Sequence, residues 1–299
     1  MRQFLRILCP IDFSDESRHA LEHAAQFARW YDAAMTGLFV YSPVFTPAPG
    51  PGIESSPMPP AIETIDKRAY EDDVLSFMRH TTSPEIEVAA EVRIGLPAQE
   101  IVNAATSLPA DLIVIGTHGT SGFQHLMLGS IAEKVLRTSR VAVLTVPPRA
   151  QATSKLPFQE VLCPVDFSSC SKDAVHFALS VAEAGDANLT ILHVLESVGE
   201  APIATRHLNV PEFRREYRQW AIEELRALLP DDAADRCRPT TCVVEGKPYV
   251  EVLNAAAHDG TDLIVMGVHG RNPLDLMLFG STTNQVVRRA TCPVLTVRR

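Results

Sequence analysis

A glycine spacing that occurs twice constrains this chain more than any other feature. Gly116, Gly119, Gly129 and Ser130 form G-x2-G-x9-G-S, and the same spacing returns as Gly267, Gly270, Gly280 and Ser281. Each copy follows a short apolar run (DLIVIG, DLIVMG) and precedes helical periodicity, carried in the first copy by Ile131, Val135 and Leu136. Glycines just past a strand's carboxyl end let the backbone approach a ligand closely. The amides that open a helix lack intrahelical acceptors, and the helix dipole favours anions there. Each loop therefore reads as a phosphate cradle. The alternative reading makes Ser130 and Ser281 simple N-caps and the glycines turn residues; the duplication argues for the cradle.

The spacing belongs to a larger repeat. RILCPIDF (residues 6–13) is answered by EVLCPVDF (160–167), so Asp12 and Asp166 each close a first strand. Serines suited to N-cap a helix follow, Ser14 in the first copy and Ser168 or Ser169 in the second. Ala20, Leu21, Ala24, Ala25 and Ala28 give the first helix its apolar face; Ala174, Phe177, Ala178 and Val181 do so in the second. Second strands are expected at 35–41 and 189–195. Asp12 and Val40 are 28 positions apart, as are Asp166 and Val194. The copies then diverge through a proline-rich segment, 43–60, and a less proline-rich one, 196–211. Helices are expected at 61–80 and 212–229, and third strands at 87–94 and 240–245. Gly95-Leu96-Pro97 and Gly246-Lys247-Pro248 each open another helix, proline suiting the first turn. The closing strands fall at 141–146 and 294–297.

The pattern β-α-β-α-β-α-β-α-β, read twice, predicts an α/β protein with tandem open parallel sheets and helices on both faces. The expected domains are 1–148 and 158–299, joined by a polar, proline-bearing linker at 149–157. In such sheets ligands bind beyond the carboxyl ends of the strands, where strand order reverses. Asp12 with Gly116, and Asp166 with Gly267, would then face one crevice each. The plainer reading of Asp12 is a cap for the following helix.

Hydrophobic residues at 46% and charged residues at 21% suit a globular chain with buried cores. A net charge of −9 argues against a nucleic-acid surface. Nothing approaches the 18 or so apolar residues of a membrane span. No nucleic-acid or membrane partner and a cytoplasmic location are therefore expected. Cys9, Cys163 and Cys292 lie in apolar strand segments and read as core residues. Cys237 and Cys242 lack partners at metal-ligand spacing. His118 and His269 sit within the glycine loops and read as rim residues. His19 and His23, four apart without a third ligand, read as a solvated helix face. No Ser-His-Asp or Cys-His set and no P-loop lysine can be assembled by spacing, so no catalytic or metal residues are expected.

Pro-x-Asp-x-Ser at a strand end, then DLIVIGTHG, G-x9-G-S and a closing hydrophobic strand, resembles the universal stress protein family in its tandem, ATP-binding form. The resemblance covers nearly the whole chain. It implies two five-stranded sheets ordered 3-2-1-4-5 that pair through their closing strands as an intrachain pseudo-dimer, with room for a homodimer. It implies ATP or another adenine nucleotide as ligand, with Mg as a candidate companion, and a nucleotide-dependent regulator of the stress response whose protein partner is unspecified. Slow ATP hydrolysis or nucleotidyl transfer, and an assembly module with vestigial sites, are the alternatives. By position, the family's base and ribose contacts fall on Pro10, Asp12, Val40 and Ile115, and its phosphate contacts on Gly116, Gly119, Gly129, Ser130 and the Ile131 amide. In the second copy they fall on Pro164, Asp166, Val194 and Met266, and on Gly267, Gly270, Gly280, Ser281 and Thr282. The loops differ: GTHGTSG keeps small residues, whereas GVHGRNP brings Arg271 and a proline that removes an amide.

Overall fold

A computed structural model describes residues 4–42, 66–117, 128–148, 150, 157–196, 211–268 and 280–298. In the first half the elements are β1 (Arg6–Pro10), α1 (Asp15–Tyr31), β2 (Ala34–Tyr41), α2 (Lys67–Thr81), β3 (Val88–Ile94), α3 (Pro97–Ser107), β4 (Leu112–Gly116), α4 (Ser130–Thr138) and β5 (Ala142–Val146). The second half repeats them as β6 (Glu160–Pro164), α5 (Ser169–Gly185), β7 (Asn188–Glu196), α6 (Pro211–Ala227), a short α7 (Ala233–Arg236), β8 (Arg238–Gly246), α8 (Pro248–His258), β9 (Leu263–Gly267), α9 (Ser281–Arg289) and β10 (Val294–Val297). Helix α7 has no counterpart in the first half and no sequence signal foretold it.

The strands form one sheet in the order β3-β2-β1-β4-β5-β10-β9-β6-β7-β8. Each half is parallel and ordered 3-2-1-4-5, and the halves join where β5 and β10 run antiparallel, Leu144 opposite Leu295. Both leucines are fully buried, each contributing about 1.5–3 kcal/mol of burial. Thr145 donates to the Val294 carbonyl and Thr296 to the Val143 carbonyl, both at 3.1 Å, stitching the seam in a twofold-like pattern. The closing strands are thus the centre of the sheet, paired as the resemblance implied, and β3 and β8 are its outer strands among the described residues. Strands β4 and β9 read as unbroken apolar runs because helices cover both faces. On one face Phe27 (α1), Val74 and Met78 (α2) and Ala221 and Leu225 (α6) pack down; on the other, Ile101 (α3), Val135 and Leu136 (α4), Val252 (α8) and Val286 and Val287 (α9).

A second junction between the halves is aromatic. Phe158 meets Phe27 at 5.4 Å and Trp30 at 6.0 Å, Phe4 meets Phe177 at 6.1 Å, and the Trp30 indole donates to the Ala184 carbonyl at 3.2 Å. This junction overturns the expectation that His19 and His23 form a solvated face. His23, one turn before Phe27 and the counterpart of Phe177, is 3% exposed, with the His19 ring edge-on at 4.7 Å. Covering of α1 by the other half is a tertiary effect that helical periodicity does not carry.

The first strand is also shorter than expected: β1 ends at Pro10, not at Asp12. Phe13 adopts the left-handed region (φ 60°), as does its counterpart Phe167 (φ 64°), so the chain turns out of the strand there. The remaining boundaries shift by one or two residues, except that residues 61–65 of the second expected helix lie outside the described residues.

At the opposite edge of the sheet, Asp111 accepts from the Leu5 and Arg6 amides, both at 3.0 Å. Asp262 accepts from Gln159 and Glu160 at 2.8 and 3.2 Å. Burial pushes the Asp262 carboxyl above its ordinary value of 3.8; the two amides oppose this and the Glu160 charge adds to it. Across the window between the ordinary and the raised value the native chain binds more protons than the unfolded one, so stability falls as pH rises through it. The wild type should therefore gain stability relative to Asp262→Asn on acidification from neutral pH, measured by chemical denaturation; a loss, or parallel curves, would contradict this assignment. Among the described residues no helix is long and apolar enough to cross a membrane.

Candidate functional site

In each half the strand order reverses between the first and fourth strands, β1 beside β4 (Ile7 opposite Leu112) and β6 beside β9 (Val161 opposite Leu263). The carboxyl ends of these parallel neighbours lie side by side, which opens the crevice where such sheets bind ligands.

Asp12 and Asp166 stand at those ends. Asp12 Oδ1 accepts from the Ser14 amide at 3.1 Å and the Ser14 hydroxyl at 2.5 Å. Ser14 in turn caps α1, its Oγ accepting from the Ser17 amide at 3.1 Å. The second half repeats the arrangement: Asp166 accepts from the Ser168 amide at 3.0 Å, and Ser168 accepts from the Ser171 amide at 3.2 Å. Neither aspartate caps its helix. The serine does, and the aspartate fixes the serine. Asp12 is exposed, and its Oδ2 makes no hydrogen bond to a described residue, so a carboxylate oxygen remains available at the rim.

Sequence reasoning missed what holds these turns. The left-handed Phe13 packs on Phe39 at 5.2 Å and on Phe77 at 5.5 Å. Its counterpart Phe167 lies 4.5 Å from the His193 ring, and His193, 4% exposed, has Nδ1 2.7 Å from the Val165 carbonyl, which fixes the proton on that nitrogen. An aromatic or imidazole at this one position of β2 and β7 thus seats the residue after each aspartate. The matching positions of Phe39 and His193 were readable from the repeat, but the positive φ that gives them a role was not.

The glycine loops leave and return through the same strand ends. Thr117 N donates to the Val146 carbonyl (3.1 Å) and Gly129 N to the Thr117 carbonyl (2.7 Å). Val268 N donates to Val297 (3.0 Å) and Gly280 N to Val268 (2.9 Å). Gly119 and Gly270, with His118, His269 and Arg271, lie outside the described residues. Helices α4 and α9 then begin, and the N-cap of each is the glycine, Gly129 (φ −58°) and Gly280 (φ −53°), with no side-chain cap. Ser130 and Ser281 are the first helical residues, both exposed, so they are not the N-caps of the plainer reading. The first intrahelical bonds to these caps come from Glu133 N and Asn284 N. The amides of 130–132 and 281–283 therefore point out of each helix start without an intrahelical acceptor or a side-chain acceptor among the described residues. An anion there meets both those donors and the positive end of the dipole.

The remaining residues fall around these two features. Pro10 and Pro164 end β1 and β6, and Val40 and Val194 lie half-buried near the carboxyl ends of β2 and β7. Ile131 is 41% exposed beside Ser130, while Thr282 is half-buried. Ile115 and Met266 belong to the apolar layer, 6% and 4% exposed, beneath the loop ends. Gly116 ends β4. Gly267 ends β9 for a reason the sequence did not give: a Cβ there would sit 2.9 Å from the Cys170 carbonyl carbon and Cβ. The halves also differ at the helix start, where the buried Thr283 donates to the Gly267 carbonyl at 2.9 Å and the first half has Ala132. Among the described residues no three His, Cys, Asp or Glu side chains gather as metal ligands.

Comparisons with known proteins agree on one family. The sequence model of the universal stress protein family matches residues 3–147 and again 157–298. A universal stress protein of Mycolicibacterium smegmatis is 28% identical over 308 residues, covering 98% of this chain and 96% of that one. A half-length relative from Bacillus subtilis is 33% identical over 147 residues, covering 47% of this chain and 99% of its own length. Among solved structures, a universal stress protein from Archaeoglobus fulgidus superposes with a TM-score of 0.66 at 22% identity over 98% of both chains, a likeness of fold.

Proposed function

The chain belongs to the universal stress protein family, in tandem form, and from that premise we propose that it binds one adenine nucleotide, ATP in the first instance, in each of two domains, 1–148 and 158–299, joined by the linker 149–157. The observation that carries this reading is the pairing, in both halves, of an uncapped helix start with an aspartate at the neighbouring strand end. The residues fit the ligand's two chemistries. Outward amides at Ser130 and Ile131, and at Ser281 and Thr282, supply donors for phosphates. Asp12 and Asp166 supply acceptors for ribose hydroxyls or an exocyclic amine. Pro10, Val40 and Ile115, with Pro164, Val194 and Met266, line the base side.

The protein's own groups at this site bind and orient the nucleotide. Occupancy then acts as a signal. A bound nucleotide ties strand end, glycine loop and helix start together, and shifts association with partners by its differential affinity for the two states. A cytoplasmic, stress-linked regulator fits this chemistry, with Mg accompanying the phosphates.

Asp12→Asn keeps an acceptor for the Ser14 turn while removing the charge, so it isolates the ribose contact. A hydrogen bond to a charged group contributes about 1.5–3 kcal/mol, so Asp12→Asn with Asp166→Asn should weaken ATP binding roughly 10- to 100-fold by calorimetry. Unchanged affinity in the double variant would remove the aspartates from the site.

A further inference from the structure

The helix pair over the central seam is basic in an acidic protein. Residues 128–148 and 280–298 hold Lys134, Arg137, Arg140, Arg288, Arg289 and Arg298 against a single carboxylate, Glu133. The chain as a whole carries −9, so the rest of its surface is more acidic still. Three of these cations, Arg137, Arg288 and Arg298, are joined across the seam. Glu133 of α4 meets Arg137 at 3.7 Å on its own helix and Arg288 of α9 at 3.3 Å across the halves. The Arg298 guanidinium donates to the Arg137 carbonyl at 2.5 Å. One carboxylate thus pairs with two guanidinium groups, because its counterpart in the second half is Asn284. Lys134, Arg140 and Arg289 are exposed alongside.

The strip extends in one direction only. Arg289 lies over the Tyr249 ring at 5.2 Å, with Lys247 over the same ring at 5.5 Å. The corresponding positions in the first half are Thr138, Ala98 and Leu96. Ring contacts hold both cations in place before any ligand arrives. Family membership and the nucleotide cradles account for none of this.

We propose that the strip is a docking surface for a short acidic polypeptide segment of a partner protein, one per chain. Arginine forks match carboxylates in bidentate pairs, which a row of Asp or Glu side chains supplies. A long polyanion fits less well. Duplex nucleic acid or an anionic bilayer meets more of a chain whose net charge is −9, and repulsion acts within a screening length of about 8–10 Å. A short segment stays within the strip and touches both halves, and the asymmetry at Tyr249 gives it one orientation.

The probe is a fluorescein-labelled octaglutamate peptide titrated with the full-length chain by anisotropy, with stoichiometry from calorimetry. The expected result is one peptide per chain, an affinity that falls steeply with salt, and a loss of about tenfold or more in Arg140→Glu/Arg289→Glu, two reversals of surface pairs. ATP affinity should be unchanged in that variant. Arg140→Gln/Arg289→Gln, with an intermediate loss, guards against misfolding of the reversal variant. The proposal is overturned if octaglutamate does not bind, or binds both variants as it binds the wild type. It is equally overturned if a DNA oligonucleotide or phosphatidylserine vesicles bind the strip more tightly than the peptide does.

Discussion

Gly267→Val will lower the stability of the chain by about 3 kcal/mol, whether or not nucleotide is present. The cause is overpacking. Even an alanine Cβ at this position would lie 2.9 Å from two atoms of Cys170, one of them the backbone carbonyl carbon, and 3.0 Å from its carbonyl oxygen. Backbone of a capped helix cannot swing aside as the tip of a side chain can, so β9 or α5 must shift, at the upper end of the usual 1–3 kcal/mol for added core volume. For a unit of 150 residues or more this is a fall of about 6–12 °C in the thermal midpoint. The outcome separates two reasons for a glycine at the end of β9. If it served only the approach of a ligand, the nucleotide-free variant would unfold where the wild type does.

Ser130→Asp and Ser281→Asp are expected to move stability and affinity in opposite directions. Both serines are exposed first-turn residues that cap nothing. An acid there complements the helix dipole and should stabilise by about 0.3–1 kcal/mol per site. The same charge stands where phosphate is proposed to sit. At a separation of about 4 Å, two like charges repel by about 1–4 kcal/mol between bulk-water and surface dielectric, so ATP should bind roughly 5- to 700-fold more weakly. Thermal melts without ligand and calorimetry with ATP read the two effects separately. A variant that melts higher and binds ATP as before would place the phosphates elsewhere.

Much of the fold is legible in the sequence because the duplication supplies its own control. The repeated 28-residue interval from Asp12 to Val40 and from Asp166 to Val194 fixes strand, helix and strand in both halves, and Ser14 and Ser168 cap where serines after a strand should. The antiparallel junction of β5 with β10 came from the family resemblance rather than from periodicity, since nothing in VAVLTV or VLTV names its partner. What the sequence does not carry is tertiary cover and backbone sign. His23 is polar and four residues from His19, so it reads as surface until the second half is laid over α1. Phe13 and Phe167 look like strand residues until their positive φ is seen, and with it the purpose of Phe39 and His193 beneath them.

The site divides in the same way. Alternation of strands and helices put Asp12 and Gly116 at strand ends; that those strands are neighbours came from the order the resemblance implied. Spacing did not distinguish a serine cap from a glycine cap at α4 and α9, since G-S admits both. The dihedral angles place the glycine, and not the serine, at the N-cap of each helix. Gly267 is the opposite case, a motif glycine whose first duty is packing against Cys170.

The most direct test of two nucleotide sites is to release and identify small molecules from freshly purified protein by mass spectrometry, then titrate the stripped chain with ATP by calorimetry. Two adenine nucleotides per chain at saturation, with Ser130→Asp and Ser281→Asp each weakening one site, is the result expected from the paired helix starts and aspartates. No adenine nucleotide on release and no saturable ATP binding by the stripped chain would contradict it.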